Sequence, residues 1–427
     1  MFSSGTKVIK ISRNFPITLI ILALLFVGSY QSIVPTIADE LLLILLFVFC
    51  IRIGKFGIKY IRIIFLYLFY GFILAIIKYQ MDNNTLVMML YEIDNDIKPL
   101  FVLFIFSSLI IDTQYRDYLL KWFIIINIPS IIFSIYQFNN RQYGYLIGLK
   151  MRNGQGRIQG LSGHPITLGF ILISQIIIVL YFASNKTKRI HKLLLYSYCF
   201  LCAFLSYFTR SRYPIFVFFM IIISLYFFSR NGMRKYGYFI FTFSLLFIIL
   251  IFSYPSLIGI IENEQNSVRM IGINAGLKSL LNYPFFGSGI GTFGTETSFQ
   301  VNSYVYNLLD VSIYTTRTEN LSSGNFFESG LFQKIIQVGI IGTIIYYYLF
   351  IDCIIQSLFY NEYLDFALIS IIVTNSILNP LYRLPCIFLA GISVSHLNYL
   401  RKEKMDEKVY SYSSDTPLYI RNNKYEY

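Results

Sequence analysis

Five arginines, Arg152, Arg157, Arg210, Arg212 and Arg269, stand in polar stretches between long apolar runs. A guanidinium stays charged at any relevant pH and grips a phosphate through two parallel N–H donors. The first of these stretches reads Lys150-Met-Arg-Asn-Gly-Gln-Gly-Arg157-Ile-Gln-Gly-Leu-Ser-Gly-His164-Pro165. It belongs to a segment, 139–164, with four basic residues and no acid. Its glycines let the backbone come close to a ligand and leave amides free to donate. The second stretch, Thr209-Arg210-Ser211-Arg212-Tyr213-Pro214, sits at the junction of two apolar runs, where an arginine is costly unless it meets an anion. Pro214 suits the first turn of a following helix.

A third stretch carries Asn266-Ser267-Val268-Arg269, then Lys278, then Pro284-Phe-Phe-Gly287-Ser-Gly289-Ile-Gly291-Thr-Phe. Apolar residues Ile271, Ala275, Leu277 and Leu281 recur at helical spacing, so a helix lying along the membrane interface is expected there. Residues 289–294 match G-x-G-x-x-G, but no strand precedes them and no βαβ unit surrounds them. A dinucleotide site is therefore rejected, and a tight re-entrant turn is expected. Two groups could take a proton. Glu328 lies where the chain turns back into an apolar run, and His164 precedes Pro165. Each also has a plain structural reading, a helix-start acid for Glu328 and a cap for His164. Tyr143, Tyr145 and Phe293 are aromatic surfaces on which a sugar ring could stack.

The elements that must hold these residues are helices in lipid. The chain has 427 residues, 56% hydrophobic and only 13% charged, too little charge for a soluble protein of this size. Runs of roughly 17–22 apolar residues match a hydrocarbon core of about 30 Å. Helices are the default way for such runs to satisfy their backbone. About twelve spans are expected, near 15–34, 37–53, 61–80, 98–112, 118–138, 165–184, 190–208, 212–229, 236–254, 329–351, 363–379 and 383–400. The whole of 1–427 forms one integral membrane domain, with long loops at 139–164 and 255–328 and a polar, mobile tail at 401–427. The first run follows Lys7, Lys10 and Arg13 and has no small-residue cleavage site, so it is read as an uncleaved span.

Orientation follows from charge. Of the 35 Lys and Arg, 22 fall on one side, with 10 of the 22 carboxylates, leaving +12 there and +1 opposite. The basic side is cytoplasmic, so both termini are cytoplasmic and both long loops lie outside. The outer arginines then stand where basic residues are scarce, which suggests that they serve an anion, and the pyrophosphate of a lipid-linked sugar fits best. The five cysteines have neither metal-site spacing nor an even count, and read as core residues.

The ordered set Arg157 with Gly160 and His164-Pro165, Ser211-Arg212, Ser267-Arg269, Pro284 to Gly291, and a polar position near Glu328 with Gly339 and Gly342 beyond it resembles a family. It is similar to the Wzy polysaccharide polymerase and O-antigen ligase superfamily of bacterial envelope glycosyltransferases, over about 150–345. The resemblance implies a GT-C-like all-α bundle with its long outer loop between spans nine and ten. It implies an inverting integral-membrane glycosyltransferase that works at the outer face of the cytoplasmic membrane without metal or other cofactor. Its substrate would be an oligosaccharide on undecaprenyl pyrophosphate, and a chain-length regulator is a possible protein partner; no nucleic acid is involved. On this reading Arg210, Arg212 and Arg269 hold the leaving diphosphate. Arg152, Arg157, Lys150 and Lys278 bind substrate, and Glu328 or His164 takes the acceptor proton. Ligases of the superfamily carry a histidine where this chain has Glu328.

Two other readings remain. A ligase would attach finished glycan to a different acceptor. A flippase for lipid-linked oligosaccharide would share the substrate and the span count, but it should show a cationic cavity within its spans, and the spans here read as nearly charge-free.

Overall fold

The computed structural model describes residues 15–30, 38–53, 57–79, 83–140, 142, 149, 151–152, 155–184, 189–209, 214–215, 217–219, 221–223, 268–283, 285–294, 298, 304–309, 311, 330–378 and 387–414. These are almost entirely helical. In order they form α1 (Phe15–Ser29), α2 (Ala38–Ile53), α3 (Ile58–Tyr79), α4 (Asn83–Ser107), α5 (Thr113–Asn139), a two-residue antiparallel ladder of β1 (Met151–Arg152) and β2 (Gln155–Gly156), α6 (Pro165–Ser184), α7 (Arg189–Phe208), α8 (Val268–Asn282), α9 (Tyr304–Leu308), α10 (Gly330–Phe359), α11 (Tyr363–Leu378) and α12 (Ile387–Ser414). Four of them, α5, α6, α7 and α10, are long and apolar enough to cross a membrane. Helices α1 and α11 are shorter and apolar.

Local chemistry sets the helix ends. Asp112 caps α5 by accepting from the Tyr115 amide at 2.8 Å. Pro165 opens α6, where its missing N–H costs nothing. Between α10 and α11 the chain reverses through Asn361, whose φ of 60° lies in the left-handed region that asparagine tolerates. The Glu362 amide then returns to the Ser357 carbonyl at 2.8 Å.

Two layers share the apolar surface. The core, with Phe106, Phe123, Phe170, Phe350, Phe366 and Phe388 all at or near zero exposure, binds α4, α5, α6, α10, α11 and α12 together. Large apolar side chains also point outward, among them Phe65, Ile77, Ile132 and Phe200, each more than 60% exposed. Such a surface would drive association in water and is unremarkable facing lipid.

Two expectations are corrected. The fourth apolar segment was placed at 98–112, but α4 begins at Asn83 and carries Asp96 and Lys98 inside it, with Pro99 just beyond. A hydropathy reading trims the polar turns of a helix whose charges are paired in the fold. The tail after Leu400 is not free chain at its start, because α12 runs on to Ser414. The segments near 212–229 and 236–254 fall largely or wholly outside the described residues.

Candidate functional site

The loop before α6 is folded tightly onto the bundle. Gln137, near the end of α5, accepts from the amides of Gln159 and Gly160 at 3.1 and 2.8 Å. The Leu161 amide reaches the Ser130 hydroxyl at 3.2 Å, and Ile158 is fully buried. Gly160 has φ of 55°, and a Cβ there would crowd the hydroxyls of Ser130 and Ser134, so a glycine is required on two counts. This packing fixes Arg157. Its Nε donates to the Thr209 carbonyl at 3.0 Å, at the end of α7. Thr209 immediately precedes Arg210. The loop before α6 and the end of α7, 52 residues apart in sequence, are thereby joined.

His164 takes its structural role. Its Nδ1 accepts from the Ile166 amide at 3.3 Å, within the first turn of α6. The expected helix near 269–281 is present as α8, with Arg269 in its first turn and Lys278 half-buried two and a half turns on. One face of α8 packs on α10, where Gly276 lies against the Phe332 ring.

The glycine-rich segment after α8 forms a buried turn wedged into a break in α10. Helix α10 is interrupted at Gly339, with φ of 66° and ψ of −173°, which removes the helical partners of the carbonyls just before it. The amides of Ser288 and Gly289 replace them, donating to the carbonyls of Ile336 at 2.8 Å and Gln337 at 2.6 Å. A Cβ on Gly287 would strike the backbone of Gln337 and Val338, and one on Gly339 would strike the Phe285 carbonyl. Gly289, Gly291 and Gly294 all have positive φ. The turn is closed by Thr292 Oγ1, which donates to the Gly289 carbonyl at 2.7 Å. Phe293 is 1% exposed and rests on Tyr306 with ring centroids 4.9 Å apart. It is a packing residue, which corrects its reading as a sugar-stacking surface.

Beneath this turn lies a polar chain that the sequence did not disclose. Lys334 of α10 forms an ion pair with Asp96 of α4; their side chains are 7% and 1% exposed. Asp96 also accepts from the Tyr67 hydroxyl of α3 at 2.6 Å. Lys334 reaches Gln337 Oε1 at 3.1 Å, and Gln337 Nε2 donates to the Phe293 carbonyl at 2.8 Å. A charge pair inside the helical bundle thus supports the turn through one glutamine. Nearby, Lys98 pairs with both Asp39 and Glu40 of α2.

The chain matches no family model and no curated protein sequence.

Not every candidate residue can be placed. Lys150, Arg210, Arg212 and Glu328 lie outside the described residues, as do Tyr143 and Tyr145. Arg152 and Arg269 are placed by their backbone, in β1 and α8. The structure therefore brings Arg157 to the chain next to Arg210, and the glycine-rich turn to α10. It does not describe a contact between these two assemblies.

A second polar centre, around Arg116 and His396, lies at the other end of the bundle. Arg116 of α5 is 1% exposed. Its Nη1 stands 3.0 Å from Glu362, 3.2 Å from Asp365 and 2.9 Å from His396 Nδ1, and its Nη2 donates to the Tyr181 hydroxyl at 2.8 Å. His396 Nδ1 is also 2.6 Å from Asp365, and Thr113 meets its Nε2 at 3.1 Å. Glu362, Asp365 and His396 have the types and spacing to ligate a metal ion. Here the guanidinium already occupies the point equidistant from all three. The centre is a buried ion-pair network that ties α5, α6, α11 and α12 together.

Proposed function

We propose that this chain polymerises oligosaccharide repeat units carried on undecaprenyl pyrophosphate, at the outer face of the cytoplasmic membrane, as a twelve-span GT-C-like glycosyltransferase. The observation that most supports this reading is the Arg157–Thr209 hydrogen bond, which ties the basic loop before α6 to the end of α7, at the residue that precedes Arg210 in sequence. Clustered guanidinia are suited to a diphosphate and to the charge that grows on it as the glycosyl bond breaks.

In the reaction, the terminal hydroxyl of one lipid-linked unit attacks the anomeric carbon of a growing chain. The bond from that carbon to the pyrophosphate oxygen breaks, and undecaprenyl pyrophosphate leaves with the electron pair. Arg210, Arg212 and Arg269 stabilise the leaving diphosphate, while Arg152, Arg157, Lys150 and Lys278 position lipid and glycan. Glu328 accepts the hydroxyl proton, since His164 is committed to capping α6.

One observation favours a second reading. The helices are not charge-free, because Asp96, Lys334, Arg116 and Asp365 are all buried within the bundle. A flippase would use such groups along a transport path. Against it, each of these charges is paired with another side chain. The test is reconstitution of the purified protein with undecaprenyl-pyrophosphate repeat units and no nucleotide. A size ladder of lipid-linked multimers supports the polymerase, and transfer of intact units between leaflets without a ladder supports the flippase.

A further inference from the structure

At the end of the bundle where the basic residues concentrate, a pocket of about 410 Å³ opens between the start of α3, the ends of α4 and α10, and the middle of α12. Its volume falls within the usual range for small-molecule sites. Three charged groups line it: Lys59, Asp352 and Arg401. Asp352 is engaged through Oδ2, which meets Lys59 Nζ at 2.6 Å and accepts from Gln356 Nε2 at 2.6 Å. The Lys59 ammonium also lies over the Tyr348 ring, 5.2 Å from its centroid. Arg401 is exposed, and among the described residues no hydrogen bond or ion pair engages its guanidinium. The pocket therefore carries a net positive charge with a full set of guanidinium donors unspent.

Its rim is apolar on one side. Tyr348, Ile355 and Phe359 flank Asp352 along one face of α10 and are 43%, 57% and 69% exposed, and Ile58 beside Lys59 is 62% exposed. Lys404, one turn beyond Arg401, sits over the Phe359 ring at 4.9 Å. Cations above an apolar stripe match a molecule with a phosphate head and hydrocarbon tails.

We propose that this pocket binds the phosphodiester headgroup of an anionic phospholipid, with Arg401 and Lys59 on the phosphate and the α10 stripe along the acyl chains. Basic pockets between membrane helices take such headgroups for electrostatic reasons. The proposal is independent of the glycosyl-transfer reading, because the pocket lies at the opposite end of the bundle from the outer loops.

The test is native mass spectrometry of the full-length protein exchanged into micelles containing either phosphatidylglycerol or phosphatidylcholine. The wild type is expected to retain one phosphatidylglycerol and to show no matching phosphatidylcholine adduct. Arg401→Gln should weaken that retention about tenfold, the loss of one charge-assisted phosphate contact. Arg189→Gln, an exposed basic residue on α7, should leave it intact. Equal retention in Arg401→Gln overturns the site. Inorganic phosphate or glycerol phosphate that displaces the lipid at millimolar concentration, and binds equally well without it, overturns the lipid assignment in favour of a soluble phosphate.

Discussion

Arg157 donates from Nε to the carbonyl of Thr209 at 3.0 Å. That bond, beside the one from the Ile158 amide to the Phe208 carbonyl at 3.4 Å, joins a glycine-rich loop to the end of a helix and delivers Arg157 to the residue before Arg210. An ammonium at position 157 has one compact donor head and cannot hold the carbonyl and an anion with the same geometry. Arg157→Lys should therefore reduce chain elongation by about 10²-fold, the effect of misplacing a substrate-positioning group. Its unfolding temperature should stay within a few degrees of wild type. Elongation rates in the reconstituted system, measured beside thermal unfolding in detergent, check both expectations.

The Asp96–Lys334 pair should behave as a buried pair whose halves depend on each other. Lys334→Met leaves the Asp96 carboxylate uncompensated, and such losses cost about 3–5 kcal/mol. The double variant Asp96→Asn with Lys334→Met removes both charges and should recover most of the lost thermal stability. A double variant as unstable as Lys334→Met alone would show that the pair is not what holds α4 against α10.

The glycine-rich turn should tolerate no side chain at its two tightest points. Gly339→Ala forces an alanine into φ of 66° and against the Phe285 carbonyl. Gly287→Ala drives a methyl group into the Gln337 backbone. The conformational strain alone is about 1–3 kcal/mol. Both proteins should unfold at lower temperature than wild type, and Gly287→Ala should also lose elongation activity, because the turn can no longer seat in the break of α10.

The Arg116 network should not respond to metal. Its Nη1 stands within 3.2 Å of Glu362, Asp365 and His396, so a divalent cation would have to displace a buried guanidinium. Zinc or chelator should leave the unfolding temperature of the wild type unchanged. In Arg116→Ala the three ligands are freed together, and the destabilised protein should gain stability on adding zinc.

Much of the scaffold was legible in the sequence because hydropathy is a local signal. Apolar runs placed α1, α2, α3, α5, α6, α7, α10 and α11 within a few residues of where they lie, apart from the extended end of α10. Helical spacing alone placed α8, and three positive-φ glycines give 289–294 the tight turn expected there. What escaped was pairing. Lys334 and Asp96 are 238 positions apart, and Arg116 and His396 are 280 apart, so nothing in either neighbourhood marks the partner. A single lysine in an apolar run reads as noise in a hydropathy window, and the polar half of α4 reads as loop. His396, placed in a run that looked like plain membrane helix, was assigned no function because its carboxylate arrives from another helix. The break at Gly339 was visible only as a glycine.

The measurement closest to the central claim is elongation of undecaprenyl-pyrophosphate repeat units by purified protein in lipid, without nucleotide, comparing wild type with Arg212→Ala and Arg269→Ala. The account predicts a ladder of lipid-linked multimers with wild type. In each variant the rate should fall by a factor corresponding to about 2.7–4 kcal/mol of lost charge stabilisation, while insertion and unfolding temperature stay normal. A full-rate ladder from correctly inserted Arg212→Ala and Arg269→Ala proteins would contradict it.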